Sequence, residues 1–139
     1  MNNSELCFLS AWELSKLIKG RKVSPVEVVE AHLERIEATE PVLNSFITLL
    51  PDQARKAALQ AEEEVRVDRY RGPLHGVPLG LKDLYYTRGV RTTSGSKVFH
   101  DFLPGYDCTI AARFAQAGAI LLGKLNLHQL AYGPTGENP

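Results

Sequence analysis

The sequence predicts an α/β fold in which a helical first half leads into alternating helices and buried strands. Two segments, residues 10–13 and 24–27, have the S-x-x-E spacing of a helix capping box. Residues 77–82 alternate apolar side chains with proline, glycine and lysine, which is the period of a strand. The continuous apolar run at residues 119–122 is typical of a strand buried on both faces, as in a parallel sheet.

The first half of the chain predicts helices around one short strand. The first helix covers residues 11–19, and the second begins after Ser24 with proline at its first position. We expect Pro41 to stop the second helix, because proline removes a backbone donor. A β-branched and aromatic run at residues 45–50 predicts a strand, and strong helix formers from residue 51 onward predict a third helix.

The second half predicts the start of an α/β core. Asp107 is the expected N-cap of a helix that ends at Gly118, just before the apolar strand. A last short helix is expected over residues 127–132. We therefore expect all 139 residues to belong to one domain, mainly helical over 1–70 and starting the α/β core over 71–139.

The composition excludes several classes of function. Sixteen basic residues balance sixteen acidic ones, and nucleic-acid-binding proteins normally carry a basic excess. Cys7 and Cys108 have neither zinc-site spacing nor a disulfide framework, which indicates a reducing, cytoplasmic location. We see no signal peptide and no apolar run long enough to span a membrane, and we expect a soluble protein with no membrane partner, metal or cofactor.

Lys82 is the candidate catalytic residue on sequence grounds. It ends the predicted strand on the face that carries Pro78 and Gly80, which leaves space for another group to approach. Desolvation at the end of a buried strand lowers the pKa of a lysine, and a neutral amine can accept a proton. Pairing with the neighbouring Asp83 would instead raise that pKa, and a lysine that simply emerges into water is the alternative.

Two further patterns are weaker. The four hydroxyl residues within 92–96 favour a turn, where serine and glycine are common, over a nucleophile. A nucleophilic serine needs a base within hydrogen-bond reach, and no sequence pattern here establishes that geometry. Residues 118–124 match the first seven positions of the phosphate-binding loop G-x-x-x-x-G-K. Leu125 stands where that loop needs a magnesium-binding serine or threonine, and the interior is apolar strand sequence, so we reject this interpretation.

Several segments, in the same order, resemble the amidase signature family. They are GPLHGVPLGLKD at residues 72–83, TTSGS at 92–96 and AGAILLGKLNLHQLAYG at 117–133. The opening helices and first strand, residues 10–48, also resemble the beginning of that family. The resemblance implies part of one large α/β/α domain around a mixed sheet, and the hydrolysis or transfer of amides through a Ser–cis-Ser–Lys triad.

The resemblance assigns the triad lysine to Lys82, which follows the family pattern G-[VI]-P-x-x-x-K-D. In the family, the neutral lysine acts through the bridging serine to deprotonate the nucleophilic serine, and backbone amides hold the oxyanion. Both serines belong to a G-G-S-S-G-G-S-like segment that these 139 residues lack. We therefore expect an N-terminal fragment that is inactive alone. The same alignment places Ala131, Tyr132 and Gly133 in the acyl pocket.

Three functions remain open at this point. In the A subunits of glutamyl/aspartyl-tRNA amidotransferases the last matched region reads G-K-T-N-M-D-E-F-A-M-G-S-S. Leu125, Gln129 and Pro134 depart from it, which favours a stand-alone amidase acting on a small-molecule amide. A nucleic-acid partner follows only from the amidotransferase, and a small α/β binding domain is the non-enzyme alternative. Because the chain ends soon after an apolar strand, we expect exposed apolar surface at 77–81 and 120–122, and self-association through it.

Overall fold

The computed structural model describes residues 3–139 and contains both helices and a mixed sheet. The helices are α1 (Asn3–Leu6), α2 (Ala11–Lys19), α3 (Pro25–Leu43), α4 (Pro51–Arg66) and α5 (Thr109–Gln116). The strands are β1 (Phe46–Leu49), β2 (Pro78–Lys82) and β3 (Ile120–Leu125). Short 3-10 turns lie at Lys97–Phe99 and Gln129–Ala131. The predicted α/β class is confirmed.

Two capping boxes start the first long helices, as the sequence predicts. The hydroxyls of Ser10 and Ser24 accept hydrogen bonds from the N–H groups of Glu13 and Glu27. The two glutamate carboxylates accept in return from the N–H groups of the serines, at 2.8 and 2.7 Å. Each cap satisfies donors that the first helical turn leaves unpaired, and the loss of such a cap typically costs about 1 kcal/mol.

The expected stop of α3 at Pro41 is wrong, because the helix continues through the proline to Leu43. Proline removes only one backbone donor, and the helix ends two residues later, so little of the hydrogen-bond ladder is lost. The residue that ends the helix is Asn44, whose φ of 48° is left-handed. Asparagine adopts that conformation more readily than most residues.

The sheet brings the two halves of the chain together in the order β1-β3-β2. β1 runs antiparallel to β3, and β2 runs parallel to it with α5 in the connection. In this register Leu81 lies opposite Lys124, and Lys82 lies opposite Leu125. Gly123 lets β1 approach closely, because a Cβ at that position would clash with the carbonyl oxygen of Thr48.

The expected exposed apolar surface at residues 77–81 and 120–122 is wrong for the side chains that are buried there, whereas Leu79 and Leu121 are half-buried. Ile120 and Leu122 pack in one cluster with residues of α3 and α4. Val77 lies in a second cluster with residues of α1, α2 and α3, and Leu81 is also buried. Self-association therefore stays a prediction without this surface to carry it. The large exposed apolar residues lie elsewhere and include Val98, Leu103 and Tyr106.

The segment around α5 differs from the prediction in its capping residues. Cys108, not Asp107, is the N-cap of α5, and its side chain makes no capping hydrogen bond. The Asp107 carboxylate instead accepts a hydrogen bond of 2.7 Å from the N–H of Arg88. The last predicted helix, over residues 127–132, is reduced to the single 3-10 turn at Gln129–Ala131.

Candidate active site

Lys82 is the last residue of β2, and its side chain is exposed. The side chains of its neighbours Leu81 and Asp83 are buried, so the side chains on both sides of Lys82 point into the protein. Its carbonyl oxygen accepts hydrogen bonds from the N–H groups of Leu84 and Tyr85, at 2.7 and 3.0 Å. Within residues 3–139 no hydrogen bond or ion pair engages the Lys82 amine. The main chain of Lys82 is therefore fixed while its amine is free.

The buried lysine is Lys124, in the middle strand β3. Its side chain is fully buried, and its ammonium donates hydrogen bonds to Tyr85 O at 2.8 Å and Thr92 Oγ1 at 2.7 Å. The same nitrogen lies 3.3 Å from Asp83 Oδ1. Burial lowers the pKa of Lys124, and the charge of Asp83 opposes that shift. The expected desolvation of Lys82 is wrong for residues 3–139, because its side chain emerges from the end of the strand and is exposed. The buried lysine of this sheet is Lys124, one register position away.

Asp83 pairs with Lys124 and not with Lys82. Its Oδ2 accepts from the N–H and the hydroxyl of Thr93, at 2.8 and 2.6 Å. Its Oδ1 accepts no hydrogen bond from residues 3–139 but faces the Lys124 ammonium at 3.3 Å. Because Asp83 is completely buried and engaged on both oxygens, it leaves Lys82 unpaired.

The hydroxyl residues at 92–96 hold a turn, as the sequence predicts. Thr92 Oγ1 donates to Val90 O at 3.1 Å, and Thr93 Oγ1 accepts from the N–H of Gly95 at 3.0 Å. Ser94 and Gly95 both have left-handed backbone, with φ of 52° and 64°. These contacts explain the cluster of hydroxyls without any need for a nucleophile.

The expected acyl-pocket residues, 131–133, directly follow Leu130, and hydrogen bonds through Ser94 connect Leu130 to Asp83 at the end of β2. The N–H of Ser94 donates to Asp83 O at 2.8 Å, and Ser94 O accepts from the N–H of Leu130 at 2.8 Å. Leu130 and Ala131 are both left-handed, with φ of 54° and 57°, a strained conformation that is concentrated at ligand-binding sites in proteins. Tyr132 is 92% exposed.

Gly133 is packed against the ring of His128. A Cβ at Gly133 would lie 2.5 Å from that ring, so only glycine fits there without displacing it. The ring nitrogen Nδ1 of His128 lies 3.2 Å from Thr135 Oγ1. The histidine is thus a neighbour of the predicted acyl-pocket segment.

Sequence reasoning missed Lys124, Thr92 and Thr93 as members of one buried cluster. Lys124 drew attention only through the rejected phosphate-loop match, and its place inside β3 agrees with that rejection. One signal was available, because a lysine inside an apolar strand run must find a partner when buried. The identity of the partner was not readable, since Asp83 lies 41 positions earlier in the chain.

The comparisons with known proteins agree with the resemblance seen in the sequence. The family model Amidase matches residues 27–139. The chain is 45% identical over 134 residues to the A subunit of glutamyl-tRNA(Gln) amidotransferase from Geobacter sulfurreducens, a match that spans 96% of this chain. It is 49% identical over 116 residues to the corresponding protein of the same name from Gluconobacter oxydans, across 84% of this chain. These matches span 27% and 23% of the two relatives, so the chain corresponds to about a quarter of their length.

Solved structures give the same result. A crystal structure described as an amidase superposes with a TM-score of 0.86 and 38% identity, covering 94% of this chain and 30% of that one. The native peptide amidase of Stenotrophomonas maltophilia superposes with a TM-score of 0.82 and 35% identity, covering 88% of this chain and 25% of that one. The predicted family is confirmed: this chain belongs to the amidase signature family.

Proposed function

We propose that this chain is the N-terminal part of an enzyme that cleaves a carboxylic amide, with Lys82 as the base of a Ser–cis-Ser–Lys triad. The observation that supports this most is the contrast, at the end of β2, between the Asp83 carboxylate, which has partners, and the Lys82 amine, which has none within residues 3–139. Asp83, the acid nearest in sequence, is held by Lys124 and Thr93, and the Lys82 amine has no partner within residues 3–139. A proton acceptor must be free of an ion pair, because a carboxylate partner would hold the lysine in its charged form.

The remaining parts of the reaction come from outside these residues. A lysine amine can take the proton of a serine hydroxyl only when that hydroxyl lies within hydrogen-bond reach. The serine-rich segment that supplies both serines in the family is not in this sequence. The 139-residue chain is therefore inactive alone in this proposal, and Ala131, Tyr132 and Gly133 contact the acyl part of the substrate once the site is complete.

The test joins residues 1–139 to the remaining sequence of the crystallised amidase with 38% identity, in place of that enzyme's own matched segment. Hydrolysis of a simple carboxylic amide is measured for this chimera and for the isolated chain. We expect release of ammonia from the chimera and none from the isolated chain. Lys82→Ala should abolish the activity of the chimera.

The matched control is Lys56→Ala, since Lys56 is an exposed lysine on α4, outside β2 and β3. It should keep the activity of the unmodified chimera. A chimera that still hydrolyses amides after Lys82→Ala would contradict the role of Lys82. Hydrolysis by the isolated chain that Lys82→Ala abolishes would contradict the proposed inactivity.

A second candidate is the A subunit of a glutamyl-tRNA(Gln) amidotransferase, in which the amide nitrogen passes to an acyl-tRNA. It is favoured by the 45% and 49% identities to proteins of that name. Leu125, Gln129 and Pro134 argue against it because they depart from the pattern of those subunits. Adding glutamyl-tRNA(Gln) to the active chimera, together with the other subunits of a relative's complex, separates the two. Formation of glutaminyl-tRNA would favour the amidotransferase.

A further inference from the structure

We propose that the buried cluster of Lys124, Asp83, Thr92 and Thr93 is a positioning element that holds the main chain of Lys82 in place for its role as a base. We call these four residues the Lys124 cluster. The inference rests on the proposed function of Lys82 and adds to it the residues that act through Lys82 without touching substrate. In this proposal the role of Lys124 is to position the main chain of Lys82, and it does not bind a phosphate.

The cluster fixes the main chain of the residues that directly follow Lys82. The N–H of Asp83 donates to Leu125 O at 2.9 Å, which continues the pairing of β2 with β3 one residue beyond Lys82. Both main-chain polar groups of Tyr85 are bonded, since its N–H donates to Lys82 O and its carbonyl oxygen accepts from the Lys124 ammonium. The turn that follows Lys82 is thus fastened to β3 by the Lys124 side chain.

The same cluster also fixes the second loop that crosses this end of the sheet. The Lys124 ammonium donates to Thr92 Oγ1, and Asp83 Oδ2 accepts from both the N–H and the hydroxyl of Thr93. The main chain then adds the hydrogen bond from the N–H of Ser94 to Asp83 O. We therefore expect a change in the cluster to affect both the turn that contains Asp83 and the loop at residues 92–94 that bonds to it.

An ion pair is a costly way to stabilise a fold but an effective way to specify one geometry. Two fully buried charges lose their hydration, so well-packed apolar residues would often give equal or better stability. A buried pair with directional hydrogen bonds permits few alternative arrangements. Positioning therefore explains the presence of the ion pair better than stability does.

The test measures amide hydrogen exchange by NMR in the 139-residue chain. Two reporters are local, since the Tyr85 N–H bonds to Lys82 O and the Ser94 N–H bonds to Asp83 O. The remote reporter is the N–H of Ala54, which bonds to Leu50 O at the start of α4. Thr93→Val removes the hydroxyl that Asp83 binds and keeps the shape, while Thr93→Ser keeps the hydroxyl.

We expect Thr93→Val and Lys124→Met to speed exchange several-fold at Tyr85 and Ser94 relative to Ala54, and Thr93→Ser to stay near the wild-type rates. Equal acceleration at all three reporters would mean that the cluster only adds global stability, and would overturn the proposal. Unchanged rates at Tyr85 and Ser94 would do the same. If Lys124→Met does not fold, the Thr93 pair of variants decides alone.

A second readout separates this proposal from the proposed function. In the active chimera, Thr93→Val should lower kcat several-fold and leave KM unchanged, and Thr93→Ser should restore kcat. An unchanged kcat in Thr93→Val would overturn the positioning role even if Lys82→Ala abolishes activity. Activity that survives Lys82→Ala would refute the base, whereas the exchange measurement would still report whether the cluster fixes this turn.

Discussion

Two lysines at the same end of the sheet have opposite environments. Lys82 and Lys124 lie on paired strands, one register position apart, because Lys124 is opposite Leu81 and Lys82 is opposite Leu125. The Lys124 side chain is 0% exposed and reaches two hydrogen-bond acceptors and a carboxylate. The Lys82 side chain is exposed, and its amine has no partner within residues 3–139.

The difference shows how a fold can keep one charged group free. Asp83 directly follows Lys82 and would be its natural partner by sequence distance. Lys124 and Thr93 occupy that carboxylate in the interior, so it does not reach Lys82. Lys124 and Thr93 therefore leave the Lys82 amine without a carboxylate partner within residues 3–139.

The largest effect is expected from Lys124→Met, which leaves the Asp83 carboxylate buried without its partner. Removing one member of a buried pair typically costs about 3–5 kcal/mol in the free energy of unfolding. Urea unfolding followed by circular dichroism measures this change. The double variant Asp83→Asn/Lys124→Met should recover part of the loss, because it leaves no unpaired charge, and a double variant less stable than Lys124→Met would contradict the pairing.

A second ionic cluster, around the half-buried Glu64 on α4, gives a stability change at acid pH. Hydrogen bonds from Arg71 lower the pKa of Glu64 from 4.5 to about 2, and burial lowers the pKa of His75 from 6.5. Both groups bind protons more readily in the unfolded chain. Stability should therefore fall as the pH drops below 6.5, and fall further between 4.5 and about 2.

The Glu64 part of this acid loss is up to about 3 kcal/mol, measured as urea midpoints across the acid range. Glu64→Gln should reduce the loss of stability below pH 4.5, because it removes the carboxylate that takes up a proton in the unfolded chain before it does so in the folded one. An equally steep acid loss in Glu64→Gln would contradict the pKa shift.

A smaller effect is expected from Thr92→Val. The change removes the hydroxyl that accepts from the Lys124 ammonium at 2.7 Å and leaves a buried charged donor with one acceptor fewer. Hydrogen bonds to charged groups typically contribute about 1.5–3 kcal/mol, so the urea midpoint should fall measurably. Thr92→Ser keeps the hydroxyl and should lose much less. Equal losses in the two variants would assign the effect to packing.

The smallest effect on stability is expected from Lys82→Met. An exposed side chain without a partner contributes within about 0.5 kcal/mol, so unfolding of this variant should match that of the wild type. A loss as large as that of Lys124→Met would show that Lys82 is a structural lysine. The two lysines would then not differ in their contribution to stability.

Local signals in the sequence predicted most of the elements. The serine and glutamate spacing at residues 10–13 and 24–27 marked the starts of α2 and α3, because capping depends on neighbouring residues alone. The error at Pro41 came from applying an interior-helix rule in the last turn, where proline costs little. The register of β2 against β3 was not accessible, since it depends on contacts about 43 positions apart.

The candidate site was predictable only in part. The strand pattern placed Lys82 at the end of β2, where the structure also has it, and its assignment as the triad lysine stays a prediction of the resemblance. The expected desolvation of that lysine was wrong, because alternation assigns a side chain to one face of a strand but does not show what covers that face. The Lys124 cluster depends on the parallel pairing of two distant strands, and no local spacing encodes that.

Amide hydrolysis by the chimera, compared between Lys82→Met and Lys124→Met, tests the central claim most directly. We predict that Lys82→Met folds like the parent protein and has no activity. Lys124→Met should lose stability, with any residual activity limited by the displaced turn. A stable Lys82→Met enzyme that hydrolyses amides at the parent rate would contradict the account.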